Sequence, residues 1–248
     1  MEVHAHTHTP RKKWTHYFWE FLMLFLAVTL GFFVENQREH YIEHKRERQF
    51  IISMIKELEA DTAQLHRIMR DSVRIAGLSN LMDSIYTADG KDINVREVYY
   101  LVLKNAMGVN FMDFSRNTLS QLKNAGNMRL IRNRKIVDSF NKMDNLITLM
   151  ERQQNNVLAA IFNSQEYSTM IFNAKYFRED GQRKPPEKIR EDKLPPLLMT
   201  RDPMILTTYA NKINIQWGRL SLYHLSLKRY DTFTSQLISY LEKEYHLE

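Results

Sequence analysis

The chain contains no cysteine, which excludes disulfide staples, thiolate nucleophiles and cysteine-ligated zinc. Glycine is scarce, at seven in 248 residues, as expected where tight turns are few. Of the six prolines, Pro185, Pro186, Pro195, Pro196 and Pro203 all fall within residues 178–203. None lies between Arg11 and Lys184, so that tract is free of the residue that interrupts helices. No segment alternates apolar and polar side chains as a half-buried strand would. There is no G-x-G-x-x-G fingerprint, no Walker loop and no serine elbow. The formal net charge is +6, but the excess is spread along the chain and mixed with acids. Without a nucleic-acid motif or a one-sided basic cluster, DNA and RNA are not expected partners.

What is present is first an apolar run. Residues 21–34, FLMLFLAVTLGFFV, carry no charge and a single glycine. Extended back to Trp14, the stretch is about 21 residues, or roughly 31 Å of helix, which matches a bilayer core. Trp14, Tyr17 and Trp19 cluster at one end, where amphipathic rings favour the headgroup level. Arg11, Lys12 and Lys13 stand just outside them. Bulky residues follow the apolar core where a signal peptidase would need small ones, so an uncleaved signal anchor is expected. The nearest charges place the tail, residues 1–13, in the cytoplasm. They place the span at 14–34 and everything after it beyond the membrane. Glu20 lies inside the span, where it can reach back toward Lys12 and Lys13 or contact a second span.

The rest reads as helices. Ile51, Ile55, Leu58, Thr62, Leu65, Met69, Ser72 and Ala76 recur at alternating spacings of four and three, forming one helical stripe. A helix is expected from the span to about Tyr86, broken or frayed near Gly77. Ala88-Asp89-Gly90-Lys91 marks a turn, and Asn94 can cap a helix ending near Gly108. A short helix is expected over 113–124, with Gly126 in the left-handed position after it and Asn127 capping the next. That next helix carries Ile136, Phe140, Met143, Ile147, Met150, Gln154, Val157, Ile161, Gln165 and Phe172 on one side, a face only partly buried because of its amides. Residues 178–203, dense in proline and charge, read as an extended connector. Asp202-Pro203 then opens a last helix, with Leu206, Ala210, Ile213, Trp217, Leu220, His224, Leu227, Thr234, Ile238, Leu241 and Tyr245 as its stripe. The expected fold class is all-α: the transmembrane helix, then an elongated antiparallel bundle built from residues 35–177 and 204–248.

Few residues carry chemistry. His40-Tyr41-Ile42-Glu43-His44 matches the H-x-x-E-H pattern in which two histidines hold zinc and the glutamate acts as base. Its setting on a charge-rich helix, without a visible third ligand, reads instead as a solvated face. His4, His6 and His8 alternate in the tail, a pattern that can hold a transition metal weakly, but they read as part of a polar tail. His224 falls in a core stripe, where a hydrogen-bonded histidine is expected and a pH-responsive contact is the alternative. Tyr209, Tyr223, Tyr230, Tyr240 and Tyr245 recur at helical spacings and read as packing residues. The expectation is therefore no catalytic, cofactor or metal site.

Arg116 to Ile136 is the most distinctive stretch, with Leu119, Leu122, Leu130 and Ile131 able to pack across a glycine corner. Thr118, Leu122, Gly126, Asn127, Leu130, Ile131 and Asn133 fill a T-x3-L-x3-G-N-x2-L-I-x-N pattern. Together with Phe33-Val34-Glu35-Asn36-Gln37-Arg38-Glu39 after the span and Glu57-Leu58-Glu59-Ala60-Asp61, this resembles a bacterial family of single-pass membrane proteins without an assigned activity. The resemblance covers about residues 14–160 and implies topology but no reaction. Partners expected on this reading are the lipid bilayer, an unidentified protein and a second copy of the chain paired through the stripe from Ile51. The role expected is a scaffold, assembly or regulatory module at the bacterial inner membrane, with ligand sensing through a partner as the alternative.

Overall fold

The computed structural model describes residues 14–69, 73–87, 94–173, 178–179, 182–183 and 198–247. The fold is all-helical in character. Its elements are α1 (Trp14–Met69), α2 (Val73–Thr87), α3 (Val95–Leu101), α4 (Asn117–Asn124), α5 (Arg134–Ile171) and α6 (Pro203–Tyr245). A π-helical turn, Val102–Ala106, continues α3, and a 3-10 turn, Asn127–Leu130, precedes α5. Two-residue strands, β1 (Arg178–Glu179) and β2 (Gln182–Arg183), pair antiparallel. The tail histidines, Ser72 and the turn signal at 88–91 lie outside the described residues. By packing, the chain divides into residues 1–51 and residues 52–248.

In the first unit α1 is the whole described structure. Its large apolar side chains face outward, with Trp14 80% and Phe32 74% exposed. Trp14 stacks on Phe18, and Phe21 on Phe25, each one turn apart. The hydroxyl of Thr29 donates to the Phe25 carbonyl at 2.8 Å, so the apolar run satisfies its own polar group.

In the second unit α5 and α6 lie antiparallel along their length. Asn133 at the start of α5 meets Tyr240 and Glu244 at the end of α6, and Ser164 meets Gln216 further along. Phe172 at the far end stands edge-on to Tyr209. Ile136, Phe140, Met143, Ile147, Met150, Val157 and Ile161 are buried on α5. Leu206, Tyr209, Ile213, Leu220, Tyr223, Leu227, Tyr230 and Leu241 are buried on α6. Each such side chain contributes about 1.5–3 kcal/mol through area removed from water. Helix α2 packs on α6 and buries Leu78, Leu81, Met82 and Ile85.

Several expectations change. On α1, Ile51, Ile55, Leu58 and Leu65 are buried, but Thr62 and Met69 are only half-buried, and Ala76 on α2 is exposed. Met54, Asp61 and Ile68 fill the stripe instead, so this face is buried within the chain. Gly77 does not break its helix. It lies within α2 against Asn105, whose Cγ leaves no room for a Cβ. On α6, Gln216 and not Trp217 faces inward, since Gln216 is fully buried and Trp217 is 37% exposed. Asn127 makes no side-chain cap: α5 begins later, at Arg134, and Asn133 caps it by accepting from the Lys135 N–H at 3.0 Å. α4 begins at Asn117, not at 113, because its first turn is fixed by contacts described below. Phe172 pairs with Leu198, and the Met199 N–H donates to the Ile171 carbonyl at 2.8 Å, so the two ends of the segment between α5 and α6 lie side by side.

Gly126 has φ +65° as expected. Gly126→Val should therefore destabilise the protein by about 1 kcal/mol or more, since a β-branched residue is strained there. Asn133→Ala should cost about 1 kcal/mol as a lost cap, and Asn127→Ala less than about 0.5 kcal/mol, in the range of a surface substitution. Denaturant unfolding of the three variants checks this order. An Asn127→Ala loss equal to that of Asn133→Ala would refute the assignment of the cap.

Candidate functional site

The site is organised around backbone. Between the π-helical turn and α4, residues 107–116 form no regular structure, yet Met112 is buried and Phe111, Phe114 and Ser115 are half-buried. Residues 108–115 make no backbone–backbone hydrogen bond to other described residues outside helices. Buried N–H and C=O groups need partners, and side chains from three helices supply them.

Helix α1 presents a polar row one turn apart. The Gln64 amide faces the Asp113 backbone. In the orientation that matches donors to acceptors, it donates to the carbonyl at 3.0 Å and accepts from the N–H at 3.2 Å. The Asp61 carboxylate accepts from the Ser115 N–H at 3.1 and 3.3 Å and from the Tyr230 hydroxyl at 3.2 Å. Glu57 accepts from the Thr118 N–H at 3.0 Å and from its hydroxyl at 2.8 Å. The segment thus runs antiparallel to α1, and Glu57 satisfies donors at the start of α4, where a negative charge is favoured.

Helices α5 and α6 hold the other side. Gln154 donates to the Met112 carbonyl at 2.8 Å and to the Tyr223 hydroxyl at 2.9 Å, while that hydroxyl accepts from the Met112 N–H at 3.1 Å. Gln165 donates to the Met107 carbonyl at 3.2 Å, and Gln216 to the Ala106 carbonyl at 3.3 Å. The oxygen of Gln216 accepts from the Ser164 hydroxyl at 2.8 Å. Phe111 stands edge-on to Tyr223, and Phe114 to Tyr230. Arg116 reaches Glu151 at 2.9 Å and Thr148 at 3.2 Å, and its Nε lies 3.9 Å from Asp144.

Burial governs the titration of the buried members. Loss of hydration raises the Asp61 carboxyl above the usual aspartate range, and the nearby Glu57 charge raises it further. The Ser115 and Tyr230 hydrogen bonds pull the other way. Burial pushes the Tyr209, Tyr223 and Tyr230 hydroxyls up, with the Asp61 charge adding to the effect at Tyr230.

The residues singled out by sequence lie elsewhere. Glu20 pairs with His16 at 3.0 Å along the same helix. His40 and His44 are exposed, and the His44 Nδ1 lies 3.4 Å from Glu47. Among the described residues no three His, Asp or Glu side chains are grouped to hold a metal ion. His224 is buried beside the Tyr223 ring. An open polar cleft of about 800 Å³ lies where α5 starts and α6 ends, lined by Lys135, Tyr240, Glu242, Lys243, Glu244 and His246. The corner pattern has a structural account at nearly every position. Thr118 binds Glu57, Leu122, Leu130 and Ile131 are buried, Gly126 is left-handed and Asn133 caps α5. Glu57 and Asp61 were legible only as members of the E-L-E-A-D string. The one available signal was an acid standing between Leu58 and Leu65 at a core position. No protein family, curated protein or solved structure matches the chain.

Tyr223→Phe leaves the buried Met112 N–H without its acceptor and should destabilise by about 1–3 kcal/mol. Lys123→Ala removes the partly exposed pair with Asp144 at 2.6 Å and should cost about 1 kcal/mol or less. Thermal unfolding distinguishes the two. If the lysine variant is the less stable, the segment is not held by the groups described.

Proposed function

We propose that the chain is a single-pass protein of the bacterial inner membrane, with residues 1–13 cytoplasmic and a helical bundle beyond the membrane that acts as a non-enzymatic scaffold, assembly or regulatory module. The observation that carries the membrane reading is the first unit. Among the described residues one helix is long and apolar enough to cross a bilayer, and none of its apolar window is buried. Apolar side chains exposed along a whole helix need another apolar phase. The module reading is supported by the second unit, whose polar groups around residues 107–118 are committed to hydrogen bonds inside the fold. Asp61, Gln154, Gln216, Tyr223 and Tyr230 are each spent on a hydrogen bond within the fold. Self-association, on this reading, falls to residues 14–34, because Met54, Ile55, Leu58, Leu65 and Ile68 are filled within one chain.

A reporter that is active only outside the cytoplasm, fused after Glu248, should be active, and the protein should resist carbonate extraction from membranes. An active cytoplasmic reporter at that site would reverse the orientation, and carbonate release would remove the span. Gentle detergent extraction should bring down a stoichiometric protein partner. Recovery of the chain alone, together with turnover of a substrate by the purified protein, would replace the module by an enzyme.

A further inference from the structure

The most unusual group in the second unit is Asp61. It is 2% exposed, yet among the described residues no cation lies within ion-pair distance of it. A charge removed from water without a counter-ion is unfavourable, and such groups tend to take up a proton instead. Its neighbours come from every element around it. On its own helix, Glu57 sits one turn earlier with a second carboxylate directed at the same segment. From the segment come the Ser115 N–H and Arg116, whose guanidinium is engaged by Glu151 and Asp144 of α5. From α6 comes Tyr230, and beyond it Asp231, which is paired with His66 of α1 at 3.1 Å.

We propose that Glu57 and Asp61 form a proton-responsive clasp by which α1 holds residues Ser115–Thr118, closed when Asp61 is protonated and loosened when it ionises. The neutral acid fits the same geometry. One oxygen accepts the Ser115 N–H, the protonated oxygen donates to the Tyr230 hydroxyl, and Glu57 keeps Thr118 without a second negative charge one turn away. Ionised Asp61 instead repels Glu57 and is poorly hydrated. Opening the clasp exposes Asp61 to water, where it titrates as an ordinary aspartate. The closed state therefore binds more protons than the open one. Its extra stability is fully present below the ordinary aspartate range and is lost as pH rises through the elevated value. This device concerns α1 residues within the second unit and holds whether or not the apolar helix sits in a bilayer.

Hydrogen exchange on the full chain in detergent tests it, read as protection factors so that the intrinsic pH dependence of exchange is removed. From about pH 3, below the ordinary aspartate value of about 3.9, up to pH 8, protection at Ser115 and Thr118 should fall by about tenfold for each unit by which the folded state raises the Asp61 carboxyl, while protection in the α5 core around Ile147 stays level. Asp61→Asn, which keeps an acceptor but cannot ionise, should flatten the dependence. Glu57→Gln should move the midpoint to lower pH, because it removes the repelling charge. If Asp61→Asn does not fold, the wild-type profile and the Glu57→Gln midpoint still decide the matter. A level wild-type profile, an unmoved midpoint in Glu57→Gln, or a folded Asp61→Asn variant with the wild-type slope would overturn the clasp.

Discussion

The second unit depends on satisfying the backbone of residues 107–118. An irregular segment inside a helical protein brings donors and acceptors that no helix ladder can pair, and each one left unpaired in the interior costs on the order of 1–3 kcal/mol. Here the solution is a set of side chains fixed on long helices. Gln64, Asp61 and Glu57 line one wall, and Gln154, Gln165, Gln216 and Tyr223 the other. Helices are suited to this, because residues four and three apart share a face and deliver polar groups at a fixed rise. The consequence is that α1, α5 and α6 are registered against one another through a strand of chain that belongs to none of them.

This explains why amides and hydroxyls stand in core stripes. Glutamine at a core position of a long helix normally marks a face turned toward water. Gln154 and Gln165 invite that reading and are half-buried, yet their amides are turned to the segment as hydrogen-bonding equipment. Replacing such an amide by leucine would add apolar area, but it would strand a carbonyl in the interior. The polar choice is therefore dictated by the segment opposite and not by the helix itself. Asn105 follows a related logic. It donates to the Leu101 carbonyl in the π-helical turn and lies so close to α2 that only a glycine, Gly77, fits opposite.

Much of the local structure was legible because its signals are local. The Asp202-Pro203 start of α6, the left-handed Gly126 and the Asn94 cap each follow from the conformational chemistry of one or two residues. The stripes were legible in outline and misplaced in detail. A buried stripe that advances 3.5 residues per turn can step by three or by four at each point, and a wrong step turns the reading by 100°. The spacing thus favours Thr62 over Asp61 and Trp217 over Gln216, whereas Asp61 and Gln216 are the buried residues. In both cases the residue that faces inward is the more polar of two neighbours. Hydrophobicity ranks them the wrong way round, because the deciding partner is a backbone group more than fifty residues distant in sequence.

The polar groups of the core were illegible for the same reason. Asp61 is drawn inward by the Ser115 N–H and the Tyr230 hydroxyl, and neither partner is implied by the pattern of α1. Once inside, the carboxylate sits beside Glu57 with no cation at ion-pair distance among the described residues, an arrangement that costs a purely structural core more than it needs to, since an asparagine offers the same acceptor without a charge to desolvate. Among the groups that hold the segment, Asp61 is therefore the one whose chemistry exceeds its hydrogen-bonding task. A neutral amide holds its bond at every pH, whereas a buried acid holds it with a strength that depends on the proton.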